Sequence, residues 1–208
     1  MNDDIRGFKI IKKGTKKSVR KLIGWLGLTL GWFLWLLEII LTTIDGNTVV
    51  NARPSISDYY HAGGIIRIIF MATLIFIGIV LILYKGHKGK RDDLTSIIGG
   101  IASITVAVFP TSPQYATPDQ SGIIHYISAV IFLGAMGVML LFNFSQSSYP
   151  IRNKIFKVLG ILVIFFLVLI ALDTAILKSN LTYWFENFAV TAFALGWFLK
   201  GSDFLKPK

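Results

Sequence analysis

Hydrophobic residues along this chain come in six long blocks, at about 22–44, 58–84, 94–109, 121–144, 155–177 and 183–199. Most are roughly 17–25 residues long, the length an α-helix needs to cross about 30 Å of hydrocarbon at about 1.5 Å per residue. The blocks are apolar all round, whereas a surface helix of a soluble domain keeps a polar face. The pattern predicts an all-α fold, a six-helix transmembrane bundle. Turn formers punctuate it: Asp45, Gly46, Asn47 and Pro54 follow the first block, and Pro110, Pro113 and Pro118 follow the third. Pro150 stands in the connection before the fifth block, and each proline resists helix continuation. Ser57 or Asp58 is placed to cap the second helix. The first block is too long for a signal peptide and lacks a small-residue cleavage site, so it is expected to be retained. With no internal repeat and no long linker, one membrane domain, 22–199, is expected between a basic segment, 1–21, and a tail, 200–208.

Charge sets the expected orientation. With the N-terminus placed inside, 18 of the 21 Lys and Arg residues fall on the inner side. The outer side keeps Arg53, Arg67 and Lys178. Cytoplasmic connections carry such an excess of Lys and Arg, so both termini are expected in the cytoplasm (N-in/C-in). The net charge of +10 therefore records topology. It does not call for nucleic acid, and none is expected as a partner. The expected partners are membrane lipids, the basic run from Lys12 to Lys21 adding contact with anionic headgroups. Only 15% of residues are charged and the mean hydropathy is +0.66, far from a soluble domain. The chain has no cysteine, which removes disulfides, thiolate metal sites and cysteine nucleophiles.

The few charges inside the blocks concentrate near the outer surface. Glu38 lies about 9 Å below the outer end of the first helix. Asp58 and His61 open the second, and Arg67 follows about two turns deeper. Thr111 ends the third, His125 sits in the second turn of the fourth, Asp173 near the end of the fifth and Glu186 in the first turn of the sixth. An ionisable residue in hydrocarbon is costly and faces a partner or a wet cavity, so these eight residues are expected to line one pocket. Arg67 needs a counter-ion, with Glu38 or Glu186 as the expected partner, and Gly63 and Gly64 share its face. Ser57, Asp58 and His61 share another face by their spacing. Histidines His61 and His125 with a neighbouring carboxylate are the residue types that hold zinc and activate water. Against this, the chain has no His-x-x-x-His pair, and N-capping and interfacial hydrogen bonds account for the same residues. Gly27-x-x-x-Gly31 is a small-residue packing motif.

The run Ser57-Asp58-Tyr59-Tyr60-His61, with Arg67, Tyr84-Lys85-Gly86, Phe109-Pro110-Thr111 and His125-Tyr126-Ile127-Ser128-Ala129, resembles an uncharacterised family of bacterial membrane proteins of unknown function, over about 54–201. That resemblance implies the bacterial cytoplasmic membrane. In the family an acid tends to follow the arginine; here Ile68 stands there. Ser57 and His61 are also similar to one Ser-x-x-x-His motif of the CREST hydrolases, the alkaline ceramidases and progestin-receptor-like proteins. Those are seven-helix zinc amidases with a further His-x-x-x-His on the last helix, which this chain lacks.

Three functions stay open on these residues. The first is binding of a lipid or small molecule in an outward-facing polar pocket. The second is a metal-dependent membrane hydrolase using His61 and His125. The third is an ion- or proton-coupled transporter using Glu38 and Arg67, although the cytoplasmic halves of the helices offer almost no polar lining.

Overall fold

The computed structural model describes residues 16–47, 51–84, 90–113 and 116–205, with the side chains of 16 and 90–93 excepted. The basic residues in 1–15, 85–89 and 206–208, which carry much of the orientation count, lie outside the described residues. All regular structure among the described residues is helical. It comprises α1 (Lys16–Leu28), α2 (Leu34–Ile44), α3 (Gly64–Leu83), α4 (Lys90–Val108), α5 (Gln120–Val138), α6 (Pro150–Leu172) and α7 (Thr182–Gly201).

A π-helical turn, Thr29–Phe33, joins α1 to α2, so that Lys17–Ile44 runs as one rod. Similar turns extend α5 through Phe144 and α6 through Leu177. Among the described residues four rods are long and apolar enough to cross a membrane: Lys17–Ile44, Gly64–Leu83, Gln120–Phe144 and Pro150–Leu177. Leu94–Val108 of α4 is a shorter apolar helix.

Small residues set the helix contacts. Gly27 faces Ala194, Gly31 faces Asn187 and Gly24 faces Phe198, which lets the first rod lie close along α7. The Gly27/Gly31 motif is thus spent inside the chain. Gly78 and Gly100 bring α3 and α4 together, and Ser103 donates to the Leu74 carbonyl across that contact at 2.8 Å. Gly137 and Gly160 do the same for α5 and α6. Helix α7 is the most enclosed element, with twelve buried residues from Thr182 to Gly201. Trp197, Phe144 and Phe156 form an edge-to-face cluster at its C-terminal end. Meanwhile Trp25, Leu36, Ile68, Phe142, Phe165 and Leu195 stand exposed on the outside of the bundle. Apolar side chains exposed in such number fit a hydrocarbon surround, since soluble monomers keep such patches small.

Three boundaries differ most from the sequence expectation. The second block does not form one helix from 58 to 84. Ser57–Ala62 is a 3-10 turn, Gly63 breaks it with φ 74° and ψ −173°, and α3 begins at Gly64. That backbone region is open essentially to glycine alone, so the two adjacent glycines end the turn and restart the chain as α-helix. Helix α6 starts at Pro150 rather than near 155, because a proline in the first turn has no N–H to lose and a φ already set for helix. Helix α1 starts at Lys16, six residues before the first apolar block.

The segment 51–63 is a folded cap over one end of the bundle. Ile56 and Tyr59 are buried in the core, and the Pro54 carbonyl accepts from the Tyr183 amide at the start of α7. This cap positions the site.

Candidate functional site

The cap is held down by Glu186. Its Oε2 accepts from the backbone N–H of Ile56 at 2.6 Å, joining the first turns of α7 to the residue before Ser57. Ser57 then faces α5, where His125 is 1% exposed. The His125 Nδ1 lies 2.7 Å from the Phe109 carbonyl, and its Nε2 lies 2.9 Å from Ser57 Oγ. A carbonyl only accepts, so Nδ1 carries the proton. Nε2 is then the lone-pair nitrogen, and Ser57 Oγ–H donates to it.

Neighbouring polar groups are also tied. Ser55 Oγ–H donates to Asp58 at 3.1 Å and accepts the Asp58 amide at 3.1 Å. Burial raises the Asp58 carboxyl above its ordinary 3.8, against the lowering pull of Ser55, His61 and Arg53. His61 is exposed, and its Nε2–H meets the Thr111 carbonyl at 2.8 Å. Asp119 caps α5 through the Gly122 amide at 2.8 Å and accepts from Ser112 Oγ at 2.8 Å. Those two bonds, the amide first, hold the exposed Asp119 carboxyl below its ordinary value.

Several of these groups, though not His61 or Asp119, meet at a cavity of about 270 Å³. Its polar end is made by Ser55, Ser57, Asp58, Thr111, Ser112, His125, Tyr126, Thr182 and Glu186. Its apolar wall comes from α5 and α6, with Ala129, Val130, Leu133, Leu167, Ile170 and Ala171, and Thr174 and Ala175 follow in the π-helical turn. Val130 is 52% exposed and Ala171, Thr174 and Ala175 are exposed too, so the cavity opens sideways between α5 and α6.

Of the eight residues expected to share a pocket, Asp58, Thr111, His125 and Glu186 do so. The other four sit elsewhere. Glu38 pairs with Arg53, at 2.5 Å from the terminal nitrogen and 2.8 Å from Nε, instead of with Arg67. Arg67 donates from Nε to the Tyr60 carbonyl at 2.5 Å and lies over the Tyr60 ring at 4.8 Å, so a carbonyl and a π face stand where a carboxylate was expected. Asp173 is buried and closes its own turn, accepting from the Ser179 amide and hydroxyl and from Thr182 at 2.6 Å. His61 lies outside the cavity lining, meeting the Thr111 carbonyl and the Tyr60 ring.

The residues do not fit a zinc centre in this arrangement. Among the described residues no three His, Asp or Glu side chains gather as a ligand set, and both His125 ring nitrogens are engaged. Of the two residues behind the CREST likeness, Ser57 bonds His125 at 2.9 Å and His61 meets the Thr111 carbonyl at 2.8 Å. The residues missed from the sequence are Arg53 and the Ser57–His125 pair. Arg53 had a signal, as one of three basic residues on the outer side. The 68-residue separation of Ser57 and His125 left none.

An all-helical bundle with apolar outer faces and membrane-length rods defines the class, a helical membrane-type protein. The chain belongs to the family of proteins of unknown function DUF998, whose model matches residues 26–195. No curated protein and no solved structure matches it.

Proposed function

We propose that this chain is a six-span protein of the bacterial cytoplasmic membrane, with both termini inside, that binds a lipid or other amphiphile near the extracytoplasmic face. One observation carries the reading: the cavity has a polar end under the cap and an apolar wall that opens between α5 and α6. A ligand with one polar and one apolar end matches that lining, and it arrives from the bilayer through the exposed Val130, Ala171 and Ala175. At about 270 Å³ the space lies just below the roughly 300–1,000 Å³ of typical small-ligand sites. It holds a headgroup or part of a chain while the rest stays in lipid. Four rods support the membrane placement directly. Helices α4 and α7 bring the count to six, which returns the C-terminus to the side of the N-terminus.

The other two readings draw less support. Transport needs a charge free to exchange, but Glu38 is neutralised by Arg53 and Arg67 is held by Tyr60. A zinc hydrolase needs a ligand set that His61 and His125 do not supply.

Native mass spectrometry of gently extracted protein tests the binding. The expected result is one retained lipid per chain, lost in Ala129→Phe at an unchanged melting temperature. A delipidated wild type that rebinds no more lipid than Ala129→Phe would sink the reading.

A further inference from the structure

We propose that Ser57 is a nucleophile and His125 its general base, and that the pair cleaves an acyl ester presented from the bilayer. The proposal rests on the amphiphile-binding reading of the same cavity and adds a reaction to it. A serine hydroxyl is a weak nucleophile until a base within hydrogen-bond reach takes its proton, with a third group orienting that base. All three parts are present: Ser57 Oγ at 2.9 Å from His125 Nε2, and the Phe109 carbonyl at 2.7 Å from Nδ1. The carbonyl holds the one tautomer that leaves Nε2 able to accept, the orienting part that an aspartate plays in a serine triad. Pro110 ends the chain's descent from α4 at that carbonyl, and the burial of His125 fixes the ring.

The Ser57 hydroxyl also lines the cavity, beside the Thr111 and Tyr126 hydroxyls. Each of those two donates a long bond to the Ser112 carbonyl, 3.4 and 3.3 Å, and these are the hydroxyls on the cavity wall that would turn to a developing oxyanion. Glu186 acts through the backbone, fixing Ile56 and with it the position of Ser57; it is a positioning residue.

The steps balance with water as the one co-reactant. Ser57 Oγ bonds to the ester carbonyl carbon while its proton passes to His125 Nε2. The carbon–oxygen bond to the alcohol breaks, and that alcohol leaves with the proton from Nε2. Water then attacks the acyl carbon and gives a proton to Nε2. The bond to Ser57 breaks, and the serine oxygen recovers the proton. The products are a fatty acid and an alcohol.

A hydroxyl that merely satisfies a buried histidine would form the same hydrogen bond, so the test must read nucleophilicity. Detergent-solubilised full-length protein is treated with fluorophosphonates of short and long alkyl chain, and adducts are mapped by peptide mass spectrometry. The expected result is one adduct, on Ser57, absent in Ser57→Ala and formed about 10²–10⁴-fold more slowly in His125→Gln. Ser147→Ala and Ser202→Ala, which lie outside the cavity, label as wild type, and retained lipid on Ser57→Ala reports that the variant is folded. No adduct with either probe, or labelling undiminished in His125→Gln, overturns the proposal. If lipid is still retained in that case, amphiphile binding stands and only the chemistry falls. If lipid is absent throughout, the binding reading falls first.

Discussion

Arg53 in the cap closes on Glu38 in α2 at 2.5 Å, so the counter-ion of Glu38 is Arg53 and not the expected Arg67. The Glu38 side chain is 7% exposed and that of Arg53 29%. Removing one partner leaves the other without its counter-charge. For a fully buried pair that costs roughly 3–5 kcal/mol. Arg53→Met should cost less, on the order of 2 kcal/mol, because solvent still reaches the pair. Thermal unfolding in detergent checks it, and Arg53→Met with Glu38→Gln should be milder than the sum of the two singles.

Gly63 separates the turn carrying Ser57 from α3. A Cβ there meets nothing within 4 Å, so any cost of Gly63→Ala comes from its backbone at φ 74° and ψ −173°. The expected penalty is about 1–3 kcal/mol. Loss of the Ser57–His125 geometry should accompany it, seen as a change in the His125 imidazole nitrogen shifts by NMR. An unchanged melting temperature would show that the break at Gly63 is not required.

Asp119 gives a pH dependence with a defined sign. Its carboxyl is held below the ordinary 3.8 by the Gly122 amide and Ser112, so the folded state favours the charged form. The contribution is complete above 3.8 and is lost as pH falls through the lower folded value. Protection of the Gly122 amide, as exchange relative to the intrinsic rate at each pH, should therefore hold at neutral pH and fall only below about pH 3.8. In Asp119→Ala that protection should be low at every pH.

The orientation makes a clean prediction because the chain has no native cysteine to remove. Asn51→Cys and Gln146→Cys both introduce thiols at exposed positions, at opposite ends of the bundle. An impermeant maleimide should label Asn51→Cys on intact cells and Gln146→Cys only after permeabilisation. The reverse pattern would turn the pocket toward the cytoplasm.

What the sequence disclosed follows from what hydrocarbon and proline enforce locally. Apolar runs located the long helices, and Pro110 marked the end of α4, which stops at Val108. Pro150 was equally informative but reads differently at the start of a helix than within one. The cap was illegible, since Ile56 and Tyr59 look like a loop and a helix start until α7 closes over them. Depth alone could not tell Arg53 from Arg67 as the partner of Glu38, because the choice depends on how the cap folds back. Arg152, which counted simply as one more inner charge, is 3% exposed and binds the Leu199 and Phe204 carbonyls at 2.7 and 2.6 Å. Its conjunction with the end of α7 is likewise tertiary.

The central claim is that an amphiphile occupies the gap between α5 and α6 with its polar end beneath the cap. Photo-crosslinking delipidated protein with a phospholipid bearing a photoreactive acyl chain, followed by peptide mapping, tests it most directly. The account predicts adducts concentrated on 126–133 and 167–175, reduced in Ala129→Phe. Adducts spread evenly over exposed positions such as Leu36, Phe142 and Leu195, with no change in Ala129→Phe, would contradict it.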